Sequence, residues 1–459
     1  IKDDRKVQNF TIVDKQYELV LTDAHDNPIS GGFVVTDEDG ETVDSFTTTG
    51  NFFIRNLKEG HTYTVHQSAV AAGYVGAQDQ TIVVTEDKAT QTIEFVNQRY
   101  SYMAQEENGK TIEGIQIEVT DENGTVVDSW TTDDTVHYIS GMREGHKYTL
   151  KQVSVPAGYV TVLDREIDIP VLENDEKQDV VLTEINPRYS FASYTCEENP
   201  EDRTMIAGIE MEVIDAEGDV VDTFVTTSDA VHYMSGLTEG QTYTLHQVSV
   251  PDGYVIADDI TFDVLTDKKD KDITMQNERV FFNKTNVGED ATLIEGAEME
   301  VRDENGAVVD SWTSDGTTYA ISGLAEGKNY TLVEVNAPEG FVIAEPVQFT
   351  TPSDKTDMTI GMQDKQVTLS VVDTKDPSSP LAGVTFEVKN AKGEVVDTWT
   401  SDTEPHAIDG LVEGETYTIA QTAVLEGYVM ALPQELTVSK DKVNQFYLTI
   451  NKYSILQLM

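Results

Sequence analysis

The chain has 459 residues and a single cysteine, Cys196. No intrachain disulfide can form, so stability has to come from another source. No histidine partner or flanking motif accompanies that cysteine, which argues against a thiol nucleophile. Basic residues are scarce: 31 Lys and Arg stand against 83 Asp and Glu, giving a net charge of -52. A field of that sign repels nucleic acid and anionic membrane surfaces, and it keeps a long molecule soluble. No apolar run is long enough to insert in a membrane. Helical periodicity is missing throughout. Paired-Cys and His-Glu-x-x-His motifs are absent, so no metal and no cofactor is expected, nor an enzyme acting on a separate substrate.

What the chain has in abundance is repetition. One phrase recurs five times: Leu57-Lys-Glu-Gly-His-Thr-Tyr63, Met142-Arg-Glu-Gly-His-Lys-Tyr148, Leu237-Thr-Glu-Gly-Gln-Thr-Tyr243, Leu324-Ala-Glu-Gly-Lys-Asn-Tyr330 and Leu411-Val-Glu-Gly-Glu-Thr-Tyr417. The tyrosines fall 85, 95, 87 and 87 residues apart. That spacing is the size of a domain, so each repeat is a bead with its own core and not a turn of a solenoid. Apolar residues make up 39% of the chain, enough for a small core in each bead.

Every repeat has the same internal order. An alternating run such as Gly114 to Thr120 marks a strand with one buried face. An Asx-x-x-Gly turn follows at Asp37, Asp121, Asp215, Asp303 and Asn390, the chemistry of a hairpin loop. A calcium loop is the weaker reading of these turns, because Thr48 stands where the first of them needs a final carboxylate. The next strand carries Phe46, Trp130, Phe224, Trp312 or Trp399, expected in the core, and His137, His232 and His406 recur at one later position. A last strand ends at Asn97, Asn186, Asn277, Asp364 or Asn451. Many short strands with frequent turns predict an all-β protein, a tandem array of immunoglobulin-like β-sandwich modules. Almost no linker separates them, which favours an extended rod.

The expected organisation has five modules at 15–97, 98–186, 187–277, 278–364 and 365–451. Residues 1–14 read as the last strand of a preceding or partner module, and 452–459 as the first strand of a following or partner module. The chain opens on Ile1 and stops at Met459 within a strand-like run, as expected of a segment of a longer array or of a subunit whose end strands complete a neighbour.

The run from Leu324 to Phe341, with its Glu-Gly, Tyr-Thr-Leu and Ala-Pro-Glu-Gly-Phe, resembles the prealbumin-like B-type repeats of Gram-positive surface proteins. These are the collagen-adhesin B-type and SpaA-type pilin modules. The resemblance implies a prealbumin-like sandwich and an extracellular, cell-wall-associated stalk or pilus protein. It also implies, in many members, an amide crosslink from a first-strand Lys to an Asn or Asp closing the last strand, assisted by a buried Glu. In the fourth repeat those positions hold Lys284, Asp364 and Glu334. Counting seven residues on from the preceding strand end gives Leu21, Ala104, Ser193 and Val371 elsewhere, and the Glu position holds Gln67, Gln152, Gln247 and Gln421. Lys and Glu therefore arrive together in one repeat and are replaced together in four. A crosslink there lets a pulling force bypass the hydrogen-bonded core.

Three functions fit: a spacer projecting a distal domain, a polymerising subunit joined end to end with copies of itself, and a module that grips a host surface ligand. The longest variation among repeats, Cys196 to Thr204, is a plain acidic extension, which favours the spacer.

Overall fold

The computed structural model describes residues 15–86, 89–197, 199–373 and 376–453; the expected end strands at 1–14 and 454–459 lie outside the described residues. Strands dominate, and no α-helix occurs among the described residues. Alternation in the sequence becomes alternation in space: Tyr17–Asp23 buries every second residue.

The fourth module gives the plan. Its strands are β1 (Val280–Asn286), β2 (Glu295–Arg302), β3 (Val308–Asp315), β4 (Tyr319–Ala320), β5 (Asn329–Asn336), β6 (Val347–Thr350) and β7 (Met358–Asp364). Two sheets form, ordered β4-β1-β7 and β3-β2-β5-β6. The same pair of sheets occurs in the first three modules, and the strands of all five are named accordingly. In the fifth, Asp376–Pro380 and Tyr428–Val429 join the first sheet, and its β7 runs from Gln445 to Tyr453, two residues past the expected boundary. Strands β1 and β7 are always parallel, so the first and last strands of each module lie side by side.

The β2–β3 turn needs its glycine. Gly306 has φ +82°, and the Asp303 carboxylate accepts the Asn305 and Ala307 N–H groups at 2.9 and 2.8 Å. A register shift follows at once, between Val301 and Arg302, which increases the twist of the hairpin.

Five separate apolar cores fill the sandwiches. The aromatic series Phe46, Trp130, Phe224, Trp312 and Trp399 is only half-buried, unlike the core position expected of it. The reason is topological: β3 is an edge strand, so its inward side chain closes the open flank of the sandwich. Each ring is covered by a second ring. Phe52, His137, His232, Tyr319 and His406 stack on them with centroids 3.7, 3.9, 3.8, 4.2 and 4.2 Å apart. The recurring histidines are fixed by carboxylates as well, His137 on Asp128, His232 on Asp222 and His406 on Asp397, at 3.0, 2.9 and 2.8 Å.

Successive modules exchange main-chain hydrogen bonds. Gly76 donates to the Met142 carbonyl at 2.8 Å and accepts from Glu144 at 3.0 Å; Thr161, Ile256 and Ile343 repeat this with Leu237/Glu239, Leu324/Glu326 and Leu411/Glu413. The recurring Leu-x-Glu-Gly phrase is thus the junction. Its Glu carboxylate takes a further N–H from the module before it, that of Gln78, Leu163, Asp258 or Glu345. A lysine from its own module neutralises it, with Lys177 on Glu144 and Lys268 on Glu239 both at 2.7 Å. Arginines seal three junctions: Arg99 lies over Tyr74 and Tyr138, Arg188 over Tyr159 and Tyr233, and Arg279 over Tyr254 and Phe281.

A buried hydroxyl in each of the last four modules ties β3 to the start of β2. Thr226 Oγ1 donates to the Ile206 carbonyl at 2.7 Å and accepts the Ile209 N–H at 3.0 Å, and Thr132, Ser314 and Ser401 sit in the same place. Thr226→Val keeps the volume and orphans both groups, so it should cost the third module about 1–3 kcal/mol. Hydrogen exchange in that module's β5 peptides reads this as faster opening, with the other modules unchanged.

Candidate crosslinking site in the fourth module

The three residues singled out in the fourth repeat meet in its core. Lys284 stands on β1, Asp364 ends β7, and Glu334 reaches in from β5 on the opposite sheet. The register explains the meeting. Lys284 is opposite Met362, so Lys284 and Asp364 lie on one face, a diagonal step apart. In the other repeats the residue counted as seven on, Leu21, Ala104, Ser193 or Val371, occupies the same register, two before the strand-end residue's partner.

Lys284 Nζ is 2.8 Å from Glu334 Oε1 and hydrogen-bonds Asp364 Oδ1. All three side chains are almost wholly shut off from water. The module's apolar cluster around them includes Phe282, Met299 and Met362. Glu334 is held by its other oxygen, which accepts the Ala344 N–H at 2.7 Å.

One cation and two carboxyls share this site, so one carboxyl is driven to keep its proton. Burial pushes Asp364 up to about 8; the Glu334 carboxyl beside it adds to the rise, and Lys284 opposes it. A neutral carboxylic acid in contact with a lysine, with a second carboxyl against both, is an arrangement suited to amide formation. Nothing comparable surrounds Cys196, whose thiol burial pushes up to about 12, far from a reactive thiolate.

The remaining modules fill the same point with amides. Gln67, Gln152 and Gln247 exchange hydrogen bonds with Asn97, Asn186 and Asn277, the last pair at 2.8 and 3.0 Å. The asparagines also donate to the Val75, Val160 and Val255 carbonyls at 2.6, 2.8 and 2.7 Å. In the third module Ser193 Oγ donates to Asn277 Oδ1 at 2.6 Å. In the fifth, Gln421 accepts the Ala431 N–H at 2.8 Å; the side chain of Asn451 lies outside the described residues.

Sequence reasoning missed the anchor on Glu334. Each Gln or Glu of the series accepts the N–H of the residue ten positions on: Ala77, Val162, Ala257, Ala344 or Ala431. The signal was the small apolar residue at that fixed offset in every repeat. Gln247→Leu should destabilise the third module by about 1–3 kcal/mol, because the buried Ala257 N–H loses its partner and the Asn277 amide keeps only Ser193 and the Val255 carbonyl. Chemical denaturation with module-resolved hydrogen exchange measures it.

Fold and site together define tandem prealbumin-like sandwich modules with a buried polar node. The sequence matches the SpaA prealbumin-like fold domain family over residues 15–99, 104–186, 197–279, 278–366 and 365–452, and the chain belongs to that family. Serine-aspartate repeat-containing protein F of Staphylococcus epidermidis is 24% identical over 247 residues. That match takes in 47% of this chain and 15% of that protein's length. Among solved structures, the shaft pilin SpaA of Lactobacillus rhamnosus GG is similar at 14% identity, with TM-score 0.23, over 39% of this chain and 99% of that one. The major pilin subunit BcpA of Bacillus cereus is similar at 13% identity, with TM-score 0.19, over 77% of this chain and 99% of that one.

Proposed function

We propose that the chain is an extracellular stalk on a Gram-positive cell surface, a spacer whose fourth module locks itself with a Lys284–Asp364 amide. The observation that carries the reading is the Lys284, Glu334 and Asp364 cluster, buried and in mutual contact in one module, where the first three modules hold an amide pair. A module that only needed a satisfied node would use the same Gln and Asn as its neighbours. Burying a lysine and two carboxyls costs several kcal/mol per ion, which a covalent bond offsets permanently.

The chemistry closes without a cofactor. Glu334 takes a proton from Nζ of Lys284, and the freed lone pair attacks Cγ of the neutral Asp364 carboxyl. The tetrahedral adduct collapses as Glu334 passes that proton to the departing oxygen and takes the second proton from the nitrogen, so Glu334 ends neutral. One C–N bond forms, one C–O bond breaks, and one water leaves. The closed loop is 80 residues, and by analogy with a disulfide the bond adds roughly 4–5 kcal/mol through the unfolded state.

Intact mass tests this. The purified chain should be lighter than its sequence by one water, with a branched peptide joining Lys284 and Asp364. Glu334→Gln and Lys284→Arg should return the full mass, and a wild-type chain of full mass sinks the proposal. The rate has a predicted pH limb. Unlinked chain recovered from inclusion bodies and refolded should crosslink more slowly as pH rises above about 8, where Asp364 loses the proton its leaving oxygen needs. A rate still climbing well above that pH would show that the carboxyl reacts in another state.

A further inference from the structure

The segment Phe341 to Glu345 serves two modules at once. The fifth module clamps it residue by residue. The Val342 side chain is buried in the fifth core, the Ile343 N–H donates to the Leu411 carbonyl at 2.9 Å, and the Ile343 carbonyl accepts the Glu413 N–H at 3.1 Å. The Glu345 N–H donates to the Glu413 carboxylate at 3.2 Å. Within its own module the same segment meets the crosslinking site, where the Ala344 N–H holds Glu334 Oε2 at 2.7 Å.

The first three modules show a second contact between this segment and the site. There the side-chain nitrogen of the strand-end asparagine has two hydrogens. One goes to the glutamine oxygen, at 3.1, 2.7 and 2.8 Å in turn. The other goes to the carbonyl of Val75, Val160 or Val255, the equivalents of Val342, at 2.6, 2.8 and 2.7 Å. Asp364 is opposite the last residue of its β1, as Asn277 is. Its Oδ1 takes Lys284, much as Asn277 Oδ1 takes Ser193 and Gln247. Oδ2 is left in the place of the amide nitrogen, sealed from water and with no donor reaching it. An oxygen so placed is satisfied by carrying a proton and giving it to an acceptor.

We propose that the Val342 carbonyl is that acceptor, and that docking of the fifth module, which holds Val342, sets the rate of crosslinking in the fourth. The inference rests on the Lys284–Asp364 reading and adds its regulation. The carbonyl keeps the Asp364 proton on Oδ2 and leaves Oδ1 as the double-bonded oxygen beside Lys284. When Nζ bonds to Cγ, the Cγ–Oδ2 bond breaks. Oδ2 departs as water, with its own proton and the one that Glu334 delivers. Its two hydrogens then point where the asparagine hydrogens point in the other modules, one at the valine carbonyl and one at the residue facing from β5. A fifth module that has not folded leaves the segment free and misplaces both the acceptor and the Glu334 anchor. The fourth module therefore locks after its neighbour has folded onto it.

Unlinked chain, recovered from inclusion bodies and refolded, tests this through the rate at which its intact mass falls by one water. Phe386→Ala opens the fifth core, and Val342→Gly removes the knob and frees its carbonyl. Both should crosslink at least about tenfold more slowly than the wild type. Ile117→Ala, the same kind of cavity in the second core, should leave the rate unchanged. The pH profile separates this role from a general loosening of the fourth module. In Val342→Gly the fall in rate expected of the wild type above about 8 should begin at lower pH, because the neutral carboxyl has lost its acceptor. A Phe386→Ala rate equal to the wild type overturns the inference, as does a slowed Val342→Gly chain with an unshifted profile. A wild type of full mass removes the crosslink itself and leaves Asp364 with its carboxyl. Its titration by carbon-13 NMR then decides the acceptor: the midpoint should drop in Val342→Gly, and an equal midpoint overturns the inference.

Discussion

The side chains of Asn97, Asn186, Asn277 and Asp364 end the last strand of their modules at one equivalent point, sealed between two sheets. A polar group at that depth costs a few kcal/mol unless it is hydrogen-bonded, so the residue facing it from β5 is not free to vary. Glutamine answers asparagine in three modules, and the carboxyl pair with its lysine replaces them in the fourth. Other features of the module follow from that point. Strand β7 must run parallel to β1 to bring a first-strand side chain alongside, and the backbone ten residues beyond β5's Gln or Glu must turn its N–H inward. The carbonyl that receives each asparagine belongs to the valine that also enters the next core. The polar node and the junction are thus two ends of one short segment.

Much of this was legible in the residues. Period-two alternation and Asx-x-x-Gly turns give the strands, because strand geometry and positive φ leave few other solutions. The resemblance placed Lys284, and the seven-residue count from Asn277 carried its position to the other repeats because parallel β1 and β7 keep one register in every module, which turns a count along the chain into a place in space. The resemblance also placed Glu334, and comparison among repeats showed Gln at the same position elsewhere.

Other features were not legible, for physical reasons. An aromatic residue at an inward strand position reads as core, yet Trp130 and Trp399 are half-exposed, since sequence does not say which strand is an edge. The histidines that cover them were visible as a recurrence, but their stacking needs the β3–β4 proximity that only the closed sandwich supplies. The Leu-x-Glu-Gly phrase was visible only as a recurrence. Its use as a junction depends on contacts between residues some 68 apart, and the lysine that neutralises each Glu enters from a loop before β7.

Parallel first and last strands have a mechanical consequence. The chain enters a module at the start of β1 and leaves at the end of β7, and because the two strands point the same way these lie at opposite ends of the sandwich. Tension on the array therefore runs along the β1–β7 ladder and loads its hydrogen bonds in shear. They must give way as a group, whereas a hairpin pulled from its open end peels one rung at a time. The modules without a lysine at the node resist stretching by this geometry alone.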